Sequence, residues 1–327
     1  MNYLTRAAAI ERMNGLAGAG KDFVFVVDYA MRQAIVLPFD CIDRHQFRFD
    51  FRGIGNDTAH SDAGDAAPRW DIVPPDRGAY ALSFERVCRH LHLGNSFLVN
   101  LTCRFPLSTD LSLPDIYHRA RAPYRLWLRD RLVCFSPEPF VRISDGHISS
   151  FPMKGTIDAT VPNAEAQLLA DKKEAAEHAT IVDLIRNDLS MVAHQVRVCR
   201  YRYVERVDTS RGALLQTSSE ITGTLPPDWR QHVGDILFSQ LPAGSITGAP
   251  KPKTVSIIAE AENCERGFYT GVMGCFCQGR IDSSVMIRFV EEADGQLYYK
   301  AGGGLTAMSR LEDEYQEVIA KAYVPIR

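Results

Sequence analysis

The sequence predicts an α+β fold built on antiparallel sheets. Strand-like runs rich in β-branched and aromatic residues cluster, joined by short turns. They do not alternate one-for-one with helices, as a doubly wound parallel sheet requires. With 46% hydrophobic and 24% charged residues over 327 positions, the chain can bury a large core and is not mainly disordered.

Residues 1–20 read as a short helix and a Gly-rich turn, and Phe23–Val27 as a strand. Residues 52–70, rich in Gly, Asp and Ser, read as a mobile loop. A helix follows at 82–93, then strands at 97–101, 125–128, 131–135 and 140–144. One long helix is expected over 163–195, then strands at 198–206, 212–216 and 219–224. Helices at 229–239 and 251–262 precede strands at 268–277, 284–290 and 296–301, and the last helix is 309–322. No composition shift marks a boundary after residue 80, so residues 1–327 are expected to form a single domain that includes the N-terminal 80 residues.

Lys+Arg 37 against Asp+Glu 40 gives a net charge of −3, which argues against a nucleic-acid partner held by basic excess. Eight scattered cysteines without C-x-x-C suit a reducing cytosol better than a disulfide framework. Cys275 and Cys277 would share one face of a strand and pack as small hydrophobes. No apolar run reaches the ~18 residues of a membrane span, and the N-terminus has no signal h-region. A cytoplasmic protein with no membrane partner is expected.

Several constellations can carry chemistry. Glu174 and Glu177, and Glu314 and Glu317, each stand at i, i+3 on a predicted helix, which puts both carboxylates of a pair on one face. Converging from two helices, the four would bind a hard cation such as Mg²⁺; each pair alone also fits a solvated face. Ser309 and Glu312 read as a capping box opening the last helix, which leaves Glu314 and Glu317 without a structural task. Gly302, Gly303 and Gly304, between a strand and that helix, read as a tight turn or as amides cradling a carboxylate.

Pro242–Lys251, with Thr247 and Gly248, reads as a ligand-shaped loop or a plain helix-opening turn, and fails the phosphate-loop pattern. Lys154 sits in a stiff turn between Pro152 and Gly155, either as an exposed turn residue or as an amine nucleophile. Glu138, fixed between Pro137 and Pro139, suits a general acid or an ordinary strand-end turn. Arg288 is a charge inside an apolar strand and needs an anion, internal or bound.

These pieces, in this order, resemble the chorismate-utilising enzymes. The carrying stretches are Phe97–Thr102, Ser136–Glu138, Pro152–Thr156, Glu174–Asp188, Gly244–Lys251, Arg266–Gly274, Arg288 and Ala301–Glu317. The resemblance implies two antiparallel sheets packed face to face with helices outside. Within the family, Lys154 in the P-M-K-G-T stretch resembles the aminodeoxychorismate synthase component I members, in which this lysine attacks C2 of chorismate. Leu98 stands where isochorismate and salicylate synthases carry a water-activating lysine. The Leu-Leu-Glu-Ser segment of tryptophan-regulated anthranilate synthases is absent, and the N-terminal region is shorter. The compact component I type is therefore expected.

The implied reaction is Mg²⁺-dependent amination of chorismate at C4, a transferase-type step toward 4-aminobenzoate and folate. Glu177 and Glu317, with Glu174 and Glu314 close by, would hold the metal against the C1 carboxylate. Arg288, Tyr269 and the Gly302–Gly304 amides would hold the enolpyruvyl carboxylate, with Thr156, Thr247 and Gly248 also on the substrate. Glu138 would protonate the departing C4 hydroxyl and Lys154 would attack C2. Ammonia would come from a separate glutamine amidotransferase subunit, and a downstream lyase would release pyruvate. Gln216 stands where many members have histidine; it keeps a hydrogen-bond donor and loses proton carriage. The alternatives are an anthranilate synthase component I, an isochorismate synthase, or a non-catalytic binder of chorismate or a partner.

Overall fold

Strand pairing follows the apolar runs. The computed structural model describes residues 2–61, 68–209 and 212–323, and in it two antiparallel sheets form. The first has the spatial order β11 (Met153–Asp158), β13 (Gly212–Thr224), β10 (His147–Ser150), β9 (Pro139–Ser144), β16 (Arg280–Val285), β15 (Val272–Cys277), β1 (Phe23–Val27), β2 (Ala34–Pro38). β12 (His194–Thr209) pairs with the other edge of β13. The second runs β14 (Gly248–Ala249), β6 (Leu98–Thr109), β18 (Gln296–Leu305), β17 (Phe289–Ala293), β8 (Leu132–Ser136), β7 (Tyr124–Leu128), β3 (Phe47–Phe51), β4 (Ile54–Gly55). β5 (Trp70–Ile72) is added on β6.

The sheets pack face to face, and alternation along each strand divides the apolar side chains between three layers. Val24 and Val26 of β1 meet Phe47, Phe49 and Phe51 of β3 between the sheets. Phe23, Phe25 and Val27 point the other way, onto α1 (Arg6–Gly18) and α5 (Lys172–Ser190). Beyond the second sheet, Leu101 and Phe105 of β6 pack with α2 (Arg77–His92), α7 (Lys251–Ala261) and α8 (Leu311–Ala320). The expected α+β arrangement, with helices outside, is what forms. All eight cysteines are free thiols, and Cys275 is buried as anticipated.

Several local expectations are corrected. The 163–195 helix is two, α4 (Ala164–Ala170) and α5, because Asp171 caps the second by accepting the Glu174 N–H at 3.0 Å. Gly302–Gly304 form no turn: they lie inside β18, in register with Thr102, Leu101 and Asn100 of β6. Lys154 is in strand β11 rather than a turn. Arg288 lies outside any strand; the chain breaks between β16 and β17, and Arg288 takes φ 55° there. Ser309 does not cap α8, which starts after Arg310 without a side-chain cap. Glu312 instead pairs with Arg77 at 3.0 Å.

The start of the 52–70 segment is tied to the second sheet. Arg125, fully buried, bonds the Thr58 and Ala59 carbonyls and the Asp50 carboxylate. Residues 62–67 of that segment lie outside the described residues.

Gly248 fixes the ligand-shaped loop to the second sheet. It pairs with Val99 at φ 120°, and any Cβ there would overlap the Leu98 carbonyl oxygen. Gly248→Ala is expected to lower stability by about 1–3 kcal/mol through this overlap. Gly267→Ala, also at positive φ but with nothing within 4 Å, should cost only about 1 kcal/mol. Urea unfolding midpoints of the two variants check the order.

Candidate active site

A single β-bulge aims Lys154. β11 and β13 pair Lys154 with Thr217 and Thr156 with Gln216, leaving Gly155, at φ 78°, as the extra residue. Directly paired residues share a face, so the bulge sends Lys154 and Thr156 to opposite faces. Lys154 turns toward α5 and places Nζ 2.6 Å from Glu177 Oε2. Glu177 is only 4% exposed. A Cβ on Gly155 would lie 3.2 Å from Glu174 Oε2, so the second carboxylate of α5 borders the same bulge.

His178 ties this part of α5 to the sheet: its Nε2 is 2.6 Å from Ser219 Oγ on β13. Burial, helped by the charges of Arg202 and Lys154, pushes the His178 pKa down to about 4, so the ring stays neutral near pH 7. Burial also pulls on Lys154, but Glu177, Glu174 and Glu317 together hold its pKa above the ordinary lysine range.

The glycine strand β18 runs through this center. A Cβ on Gly304 would lie 3.5 Å from Lys154 Nζ, and one on Gly303 would lie 3.7 Å from Glu314 Oε2. Adjacent residues face opposite ways, so Glu314 approaches the strand from the other side than Lys154. There Ser309 Oγ donates to Glu314 Oε1 at 2.7 Å. Glu317 is bonded by Lys321 Nζ at 2.6 Å, and that ammonium also reaches the Gly302 carbonyl at 3.4 Å. The structure thus gathers Glu174, Glu177 and Glu317 around Lys154 and sets Glu314 across the strand. Among the described residues, no three His, Cys, Asp or Glu side chains are assembled at ligating distance.

The donor set nonetheless fits Mg²⁺. It consists of hard carboxylate oxygens, of which Glu177 already faces one cation, the Lys154 ammonium, and Glu317 another, that of Lys321. Mg²⁺ keeps several waters and takes one or two carboxylates, so it needs no preassembled cage.

Glu138 joins β8 to β9 and accepts a hydrogen bond from Ser245 Oγ at 2.6 Å. Burial raises its pKa, against the Ser245 bond and the charges of Arg288, Lys154 and Lys321. Three cations therefore surround one carboxyl that burial favours in its protonated form. Arg288 lies 5.1 Å from the Tyr323 ring centroid and interacts with Tyr299 and Tyr269. Tyr269 is buried edge-on against Phe289. Thr247 is fully buried, and its carbonyl accepts the Asn100 N–H at 3.0 Å. Thr156 and Gln216 share the face away from Lys154, so the bulge separates them from the nucleophile candidate.

Three residues at this center were missed in the sequence reading. His178 stands beside Glu177 in the helix motif, and Ser245 lies within the Gly244–Lys251 stretch. Lys321 follows Glu317 at i+4, the spacing of a helical ion pair, and that signal was legible.

Comparisons with known proteins agree with this fold. Residues 39–327 match the chorismate binding enzyme family, and the chain belongs to that family. An uncharacterised PabA-like protein of Pasteurella multocida is 46% identical over 98% of both chains. Aminodeoxychorismate synthase component 1 of Salmonella typhimurium is 38% identical over 75% of this chain, a match spanning 56% of that relative. The menaquinone-specific isochorismate synthase of Escherichia coli shares the fold, with TM-score 0.72 at 16% identity over 98% of this chain and 82% of that one. Among the described residues, no helix is long and apolar enough to cross a membrane.

The raised Glu138 pKa has a stability consequence. The folded state binds this proton more tightly than the unfolded chain, so the contribution is present at acidic pH and lost as pH rises through the folded pKa. Glu138→Gln keeps an acceptor for Ser245 and removes the charge. It should melt higher than wild type at pH 7, with the difference shrinking as pH falls below the ordinary glutamate range. Calorimetry across pH 3–8 checks this (a range of about five units).

Proposed function

We propose that this chain aminates chorismate at C4 with ammonia to give 4-amino-4-deoxychorismate. The observation that carries the reading is Lys154, aimed by the Gly155 bulge at a cluster of carboxylates beside a glycine strand. An amine there is placed to attack a substrate held over β18. The similarity to aminodeoxychorismate synthase component 1 supports the same reading.

Glu177 and Glu317, with Glu174 beside them, would hold Mg²⁺, which would supply positive charge for the ring carboxylate and offset the carboxylates now raising Lys154. Arg288 binds the enolpyruvyl carboxylate at the far end, with Tyr269 and the Gly302–Gly304 backbone packed around it. Lys154, once neutral, attacks C2 while Glu138 gives its proton to the C4 hydroxyl, which leaves as water as the double bonds shift. Ammonia then forms the C4–N bond, and the C2–Nζ bond breaks as the double bonds shift back. Leu98, beside Gly304, brings no base to C2, which disfavours water addition there. The ammonia source is a separate glutamine amidotransferase subunit, and a lyase completes 4-aminobenzoate.

Lys154→Ala should lose amination by about 10²-fold or more while chorismate binding is kept. Mass spectrometry of the product formed from chorismate, Mg²⁺ and an ammonium salt checks both the variant and the reaction. Anthranilate or isochorismate from the wild type would sink the reading. Mg²⁺ alone should raise the wild-type melting temperature in a concentration-dependent way, and this shift should vanish in Glu177→Gln.

A further inference from the structure

Two motif stretches end in residues that the proposed reaction leaves unused. Asp188 closes the Glu174–Asp188 stretch and Lys251 closes Gly244–Lys251, and they meet behind Glu138. Lys251 Nζ is 2.7 Å from Asp188 Oδ2 and donates to the Gln240 carbonyl at 2.9 Å. Gln240 Nε2 donates to the Asp188 carbonyl at 3.0 Å. The two charged side chains keep a little solvent access, 15% and 13%.

On the inner side of the pair, Asp188 borders a cavity of about 20 Å³ that also touches Gln240, Ser245 and Glu138. That is room for one water, with polar partners on several sides. Gly244 leaves the passage open: a Cβ there would lie 3.1 Å from Asp188 Oδ2 and 2.8 Å from Leu184 Cδ2. The next residue, Ser245, donates to Glu138 Oε1 at 2.6 Å. Exchangeable groups thus lie on both sides of the cavity, the Lys251–Asp188 pair toward the surface and Ser245 toward Glu138.

We propose that Lys251, Asp188, one cavity water and Ser245 form a proton relay connecting Glu138 to solvent from behind the substrate. It deepens the proposed function by resting on Glu138 as general acid, but not on the identity of the product. After Glu138 has protonated the leaving hydroxyl, Ser245 Oγ passes its proton to the Glu138 carboxylate. The water replaces the serine's proton and regains one from the Lys251–Asp188 pair, which recovers it from solvent. One proton enters and one is delivered, and every relay group returns to its starting state. Burial raises the Asp188 pKa and lowers that of Lys251, which narrows the gap a shared proton must cross. A purely structural pair would only join α5 to α7.

The test reads proton exchange directly in the full chain without substrate. The carboxylic C=O infrared band lost in Glu138→Gln identifies protonated Glu138. Its hydrogen–deuterium exchange is followed by rapid mixing into D₂O in wild type, Ser245→Ala, Ser245→Thr and Asp188→Asn. Exchange is expected to slow about ten-fold or more in Ser245→Ala and Asp188→Asn, with Ser245→Thr close to wild type. Unchanged exchange in folded Ser245→Ala, or no such band in the wild type, overturns the relay. If Asp188→Asn fails to fold, Ser245→Ala, which removes one oxygen, decides. A product other than aminated chorismate overturns the proposed function and leaves the exchange result standing.

Discussion

A half-buried ammonium held against a buried carboxylate is the constraint on which the site depends. Lys154 and Glu177 belong to different elements, β11 and α5, and their 2.6 Å contact fixes one against the other. Removing either partner would strand the other charge in a desolvated place. The surrounding groups answer this pair. Glu174 and Glu317 add negative charge and Gly304 leaves room beside Nζ. His178 stays neutral and bonds Ser219 instead of adding a second cation.

The same pair explains why the four carboxylates do not stand as a ready cage. With Lys154 protonated, the carboxylates already have a cation to face. In the reaction proposed above, a divalent ion would take over that task and relieve the raised lysine pKa, so metal binding and activation of the amine would be one electrostatic exchange. Glu138 lives under the opposite rule. Burial favours its neutral form while Arg288, Lys154 and Lys321 favour the charged one, so it is poised to give up a proton. Burial acts on the Glu138 carboxyl toward its neutral form, while the carboxylates around Lys154 hold that amine charged.

The second sheet supplies the rigid floor. β6 and β18 pair continuously from Val99–Leu305 to Leu107–Leu297, and the glycines of β18 lie within this ladder, next to its Val99–Leu305 end. Glycine weakens a strand unless a neighbour holds it, and here β6 pairs with all three glycines, while β17 pairs with β18 only as far as Lys300. Arg266 adds a further clamp: it bonds Glu262, the Asn100 carbonyl of β6 and the Ile246 carbonyl of the loop. The loop bearing Thr247 is thus tied to the strand beneath it.

What the sequence determined by itself was local and additive. β-Branched runs named most strands after residue 95, and i, i+3 spacing placed the glutamates of each pair on one helix face. Short motifs in a fixed order identified the family. What it could not determine depended on partners far along the chain. Gly302–Gly304 read as a turn because glycine permits turns, yet β6, about 200 residues earlier, supplied the ladder that made them a strand. The side of β11 on which Lys154 lies was set by a one-residue slip against β13, and a slip of one residue flips a side chain to the opposite face. Asp188 and Lys251 gave no signal of meeting, because only the packing of α5 against the loop before α7 brings them to 2.7 Å. Local propensity and spacing act within a few residues; register, burial and charge pairing are properties of the folded chain, and the tertiary structure alone decided them.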